Sequence, residues 1–223
     1  MAASGDPVPR ATEKRYARRR MQLAVNAAHP EPRAIRRAVD ALERDGVVAY
    51  PTDTAYALGC DLESRRGFER LCALRNLDKK HLFTFLCPGL AHIARYAVVE
   101  NQHYRVLRRF LPGPYVFVLH ATREIPKIAQ SRRQTVGIRV PNHPVPLALA
   151  RELGRPIVTA TAVDALGEPM VDAAEVDARY PGLALALDGG DVQKVLTSVV
   201  DLTTTPATVI RAGLGDVSEF SDD

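Results

Sequence analysis

The sequence predicts an α/β domain, a twisted mixed parallel and antiparallel sheet flanked by helices. Three observations carry this expectation. Apolar runs of strand length recur along the chain, amphipathic segments of helical period fall between them, and the alternation is too irregular for a doubly wound sheet. The 223 residues are 46% hydrophobic, enough to bury one sizeable core, and no repeat or internal linker divides them.

Pro32 to Arg44 sets Ile35, Val39 and Leu42 at helical spacing and meets a natural stop at Gly46. A strand over Val47 to Tyr50 follows. Arg65 to Leu74 reads as a helix with Phe68, Leu71 and Cys72 on one face. Leu82 to Cys87 is a continuous apolar run closed by Pro88 and Gly89, as a buried strand would be. Residues 89–97 and 101–111 read as helices, the second ended by Pro112, Gly113 and Pro114. Strands are expected over Tyr115 to His120 and Val136 to Val140. A helix over Pro144 to Leu153 carries proline in its first turn and Gly154 just past its end. Strands at Ile157 to Thr161, Leu183 to Leu187, Ser198 to Leu202 and Ala207 to Arg211, with a helix near Ala173 to Tyr180, complete the sheet.

The charge is unevenly placed. The pI is near 9.1. Residues 1–20 hold six basic and two acidic groups, a net +4, whereas residues 21–223 hold 24 of each sign. The leading segment lacks apolar periodicity and reads as a disordered basic tail preceding a domain over 21–223. It is either a nucleic-acid arm or an extension from an upstream start codon. It has no apolar core of a secretory signal, and no run of the chain approaches the roughly 18 apolar residues of a membrane helix. Cys60, Cys72 and Cys87 show neither disulfide nor zinc spacing, so a reducing cytoplasm is the expected compartment.

Two segments carry chemistry. Val47 to Gly59 runs from a strand into Pro51, which cannot continue a central ladder, and then presents Thr52, Asp53 and Thr54. That arrangement suits either a small-molecule site at a strand end or an ordinary exit whose polar groups satisfy turn amides. The second is Thr135-Val-Gly-Ile-Arg-Val-Pro-Asn-His-Pro144.

Together these segments resemble the YrdC/YciO-type threonylcarbamoyl-adenylate synthase family over residues 32 to about 214. Three further pieces agree: Pro156 to Thr161 followed by Gly167-Glu-Pro169, Ser198 to Leu202, and Val209 to Gly213. The resemblance implies a YrdC-like domain with a concave ligand site. It also implies ligands: ATP with magnesium, L-threonine and bicarbonate, or threonylcarbamoyl-adenylate itself. The activity implied is that of a nucleotidyltransferase, L-threonylcarbamoyladenylate synthase, or a related adenylate-processing enzyme serving tRNA modification. By motif, Thr54 corresponds to a contact to the amino acid and Arg139 to the residue that holds its carboxylate. Arg75, Thr135, Thr159, Thr161, Ser198 and Arg211 correspond to the nucleotide side. Against these roles stand ordinary ones: a strand-edge ion pair of Arg139 with a neighbour such as Glu168, and turn or cap hydrogen bonds for the hydroxyls.

The departures from the family pattern follow its YciO branch. Synthases carry a lysine-x-arginine pair and then asparagine-proline, whereas this chain has Arg75-Asn76-Leu77 and later His81. Leucine cannot donate to phosphate, and one lost charge-assisted contact costs about a hundredfold or more in rate. Leu86 stands near where a histidine is expected, and Val163 where an asparagine is. Lys79 and Lys80 offer a substitute cation or a solvated loop. His143 is expected to shape the turn after Arg139, and Asp53 either positions a substrate amine or caps its turn. No protein-held metal site is expected. The alternative from another class is a non-catalytic double-stranded RNA, tRNA or ribosome-binding module, which a steep salt dependence would reveal.

Overall fold

The computed structural model describes residues 22–78 and 81–220. The basic segment 1–20 and Lys79 and Lys80 lie outside the described residues, so the expectations placed on them have no structural counterpart here. Among the described residues ten strands form one sheet: β1 (Gln22–Ala24), β2 (Val48–Tyr50), β3 (Ala57–Asp61), β4 (Thr84–Leu86), β5 (Tyr115–His120), β6 (Thr135–Arg139), β7 (Ile157–Thr161), β8 (Leu185–Asp188), β9 (Ser198–Asp201) and β10 (Thr208–Arg211). Their order is β1-β8-β2-β3-β7-β4-β6-β5-β9-β10. The β1–β8, β2–β8, β4–β6 and β5–β9 pairs are parallel and the other five antiparallel, the mixed sheet that the irregular alternation predicts.

The helices of the described residues flank it: α1 (Pro32–Glu43), α2 (Arg65–Arg75), α3 (Leu90–Tyr96), α4 (Asn101–Phe110), α5 (Pro144–Leu153) and α6 (Ala173–Arg179). Their ends follow local chemistry. Ser64 caps α2 by accepting from the Gly67 amide at 2.8 Å, and Asn76 closes it in the left-handed region at φ 50°. Gly154 closes α5 at φ 72°, a conformation glycine adopts without steric penalty.

One face of the sheet is buried along its length by an apolar core that includes Phe68, Phe83, Phe85, Leu107, Phe117, Ile138 and Val176. The opposite face is only half covered. There α1 and α5 pack over Tyr50, Leu86, Ile157, Leu185 and Leu187, closing the β1 side. The register places Val48, Gly59, Thr159, Thr84, Gly137, Val118 and Asp201 in one row across that face. The row turns small and hydroxylated where the helices stop.

The structure adds a strand that the expected elements omit, within the segment that follows Pro51. The turn ends at Tyr56, and Ala57 to Asp61 return as β3 beside β2. This strand is buried on both faces and so shows no alternation to find. A Cβ on Gly59 would sit 2.5 Å from Ile157 Cγ2 and 2.8 Å from Tyr50 Cε1, which accounts for glycine inside the strand. The three-residue edge strand β1, and short 3-10 turns at Lys127–Ala129 and Ser218–Phe220, carry too few residues for a periodicity.

Candidate ligand-binding site

The uncovered half of the sheet is the floor of a cavity of about 390 Å³, within the size range of small-molecule pockets. Thr84, Thr159, Thr161, Val116 and Val199 rise from the strands, and Arg75, Arg139 and Arg211 converge from α2, β6 and β10. Leu77, His81, Leu82, Val163 and Leu196 form a more apolar rim. Among the described residues no carboxylate lines the cavity, and the one counter-ion to its three arginines, Asp53, pairs with Arg139 from behind the lining.

The arginines are held differently. Arg139 is 6% exposed, and its Nη2 donates to Asp53 Oδ1 at 2.6 Å, Thr54 Oγ1 at 2.9 Å and Thr52 Oγ1 at 3.2 Å. The other oxygen of Asp53 accepts from the Asn142 amide at 3.0 Å. Arg139 is thus paired with Asp53, which replaces the expected alternative of a pair with Glu168 and assigns Asp53 to the arginine and the Asn142 turn. Arg211 Nε and Nη2 donate to the Thr197 carbonyl and hydroxyl, both at 2.9 Å. Burial first, and the charge of Arg139 second, depress the Arg211 pKa below its ordinary value. The Nε atoms of Arg75 and Arg139 are buried with no hydrogen-bond partner among the described residues.

Of the residues singled out from sequence, Arg75, Arg139, Thr159, Thr161 and Arg211 meet in this cavity. Three lie elsewhere. Thr54 is buried behind Arg139 and uses its hydroxyl to hold that guanidinium. Thr135 bonds Ser131 at 2.9 Å and lines a neighbouring groove of about 280 Å³ that shares Leu82 with the main cavity. Ser198 is fully buried, donating to the Gly215 carbonyl at 2.6 Å and accepting from the Gly213 amide at 2.9 Å, so it pins the 213–215 segment. A strand turns neighbouring side chains to opposite faces, and on β9 the cavity side belongs to Thr197 and Val199. Val200 is buried on the Ser198 side, but Val199 carries the same side chain, so the phase has no signature in the sequence.

Sequence reasoning also missed Thr84, which alternates with the core residue Phe85. His143 has the structural role expected of it. Its Nδ1 accepts from the Val145 amide at 3.2 Å and caps α5. Leu86 packs under α5 in the second core, away from the cavity. Val163 lines the cavity with its backbone clamped by the Tyr180 hydroxyl, which accepts from its amide and donates to its carbonyl. Among the described residues no group of three or more His, Cys, Asp or Glu side chains could hold a metal, and no helix is long and apolar enough to cross a membrane.

A mixed α/β sheet with a half-bare face beneath three convergent arginines is the candidate small-molecule site of this chain. The Sua5/YciO/YrdC profile, described as "Telomere recombination", matches residues 40–213. The chain belongs to this family. It is 36% identical over 199 residues to the Escherichia coli K12 protein "Uncharacterized protein YciO", covering 88% of this chain and 97% of that one. It is 30% identical over 172 residues to the "Threonylcarbamoyl-AMP synthase" of Mus musculus, covering 75% of this chain and 61% of the mouse protein. Among solved structures, E. coli YciO superposes with a TM-score of 0.85 at 34% identity, over 90% of this chain and 98% of that chain. P. abyssi Sua5 complexed with L-threonine superposes with a TM-score of 0.82 over 88% of this chain and 59% of that one; at 24% identity this shows the shared fold.

Proposed function

We propose that the cavity binds ATP and L-threonine, or the threonylcarbamoyl-adenylate that joins them, in the chemistry that leads to threonylcarbamoyl-adenosine in tRNA. The observation that carries this reading is the convergence of Arg75, Arg139 and Arg211 on a cavity with no acidic lining residue. Such a site favours a ligand with at least two separate anionic groups. Arg139 suits a carboxylate through the planar fork of its guanidinium. Arg211 and Arg75 suit phosphate oxygens, and Thr159 and Thr161 supply hydroxyls from the floor. The synthase relatives and the threonine-complexed relative support an amino acid as one component.

In the synthetic direction, the threonine amine and bicarbonate give a carbamate and water, and a carbamate oxygen attacks the α-phosphorus, with pyrophosphate leaving. The residues would orient the reactants in line and neutralise charge, and no side-chain nucleophile is required. The lining holds no carboxylate to ligate magnesium, so the expected ion would have to arrive on the phosphates rather than in a protein site. Leu77 and Val163 offer no donor to the triphosphate, which weakens synthesis relative to the family pattern. This chemistry is a cytoplasmic one, and the three buried free cysteines suit that compartment.

One observation favours RNA as an additional partner. Between residues 92 and 133 eight basic groups stand against Glu100 and Glu124, a net +6 within a body whose total is zero. Much of this charge is exposed on α3, α4 and the loop after β5.

Calorimetry with ATP, magnesium and L-threonine, singly and together, and with threonylcarbamoyl-adenylate, tests the main reading. Binding of at least one of these is expected. No binding of any at millimolar concentration would overturn it.

A further inference from the structure

His81 follows α2 and precedes β4, its amide donating to the Asp78 carbonyl at 2.9 Å. Its ring stands edge-on to Phe83, with centroids 5.5 Å apart and an interplanar angle of 82°. Phe83 is itself locked in the core against Phe68. The imidazole is therefore oriented by packing at the rim of the cavity, beside Arg75 and Leu77. The ring lines the cavity, and among the described residues neither of its nitrogens is engaged in a hydrogen bond.

We propose that His81 is a ligand-contacting residue of this cavity, whose imidazole supplies the anion contact that Leu77 lacks and takes up a proton from solvent when a phosphate-bearing ligand binds. The inference rests on the reading of the cavity as an adenylate site. Among the described residues the charged groups that act on the ring are Arg75 from α2 and Asp78 from the preceding turn, and Arg139 and Arg211 line the same cavity. Burial, then Arg75, lower the His81 pKa from 6.5, while Asp78 opposes them. An anion placed among these arginines reverses the balance and favours imidazolium. Binding and protonation are then linked, and affinity rises as pH falls.

The experiment is calorimetry of the full chain with magnesium-saturated ATP between about pH 6 and pH 8, in two buffers of different ionisation heat, which counts the protons taken up. The wild type is expected to take up a fraction of a proton near neutrality and to gain affinity on acidification, by at most about tenfold per pH unit for one coupled proton. His81→Asn and His81→Gln should still bind but lose both the uptake and the pH dependence. Adding Leu77→Arg to His81→Asn should recover the affinity without recovering the uptake. Unchanged proton uptake in both His81 variants overturns the assignment alone. A wild type that binds neither ATP nor threonylcarbamoyl-adenylate overturns it together with the reading beneath it.

Discussion

Arg139 Nη2 lies 2.6 Å from Asp53 Oδ1, with both side chains nearly buried, so the arginine aimed at the cavity already carries its own counter-ion. A ligand carboxylate that approaches this guanidinium competes with Asp53 for its charge. The pair therefore sets two quantities at once, the stability of the turn and the strength of the carboxylate site.

Asp53→Asn separates them. Removing one member of a buried pair costs about 3–5 kcal/mol, because the other charge is left uncompensated. Thermal unfolding should therefore show a lower Tm. The freed guanidinium should bind L-threonine more tightly in calorimetry. Weaker threonine binding by a folded Asp53→Asn protein would show that Asp53 contacts the substrate instead. Arg139→Lys loses the planar fork, and threonine affinity should fall by about tenfold or more.

Leu77→Arg combined with Val163→Asn should raise adenylate synthesis, measured as pyrophosphate release from ATP in the presence of L-threonine and bicarbonate. Both positions line the cavity, so the new donors reach the bound ligand. One restored charge-assisted contact corresponds to about a hundredfold in rate where the scaffold is otherwise competent. An unchanged rate, or a wild type already fast, would contradict the account of these departures.

His143 makes stability depend on pH through its cap. Its neutral Nδ1 accepts from Val145, and burial, then Arg139, lower its pKa while Asp53 opposes them. The folded state thus favours the neutral ring, and its contribution is complete above the unfolded value of about 6.5 and lost as pH falls through the range beneath it. His143→Ala should cost about 1 kcal/mol at pH 8, the usual worth of an N-cap. The difference in Tm between variant and wild type should shrink towards about pH 5. A constant difference would remove the cap from the explanation.

Deleting residues 1–20 removes a net +4 and should leave folding and nucleotide binding intact. On unmodified tRNA across a salt series, the truncated form should show a shallower slope, by at most about 0.7 per lost single-strand phosphate contact. Charge reversal at Arg105 and Arg108 on α4 should remove much of what remains. If neither change alters the slope, RNA engages another surface.

The fold was legible wherever period and punctuation agreed. Ile35, Val39 and Leu42 mark α1, while Pro144 and Gly154 bracket α5. What escaped was β3, whose Ala-Leu-Gly-Cys-Asp is buried on both faces and so lacks alternation. In the site, Arg139 and Arg211 were picked out by the family motifs that carry them, and both reach the cavity. The hydroxyls were harder: Ser198 and Thr197 are chemically alike, and only the phase of β9 decides which faces the cavity. The use of Asp53 as counter-ion to a residue 86 positions away is a product of tertiary approach and has no local signature.

The half-bare sheet separates two kinds of selection. Thr84, Thr161 and Val199 stand on a floor braced from behind by the Phe83, Phe85 and Phe117 core, so their side chains hold up little of the protein. Ligand preference can therefore drift by single exchanges on that floor at small thermodynamic risk, whereas Gly137 has no such latitude. A Cβ there would meet Val116 Cγ1 at 2.8 Å, displacing a cavity-lining side chain on the neighbouring strand. Members of such a family can thus diverge in substrate while keeping one architecture, and variation on the bare face records chemistry rather than folding.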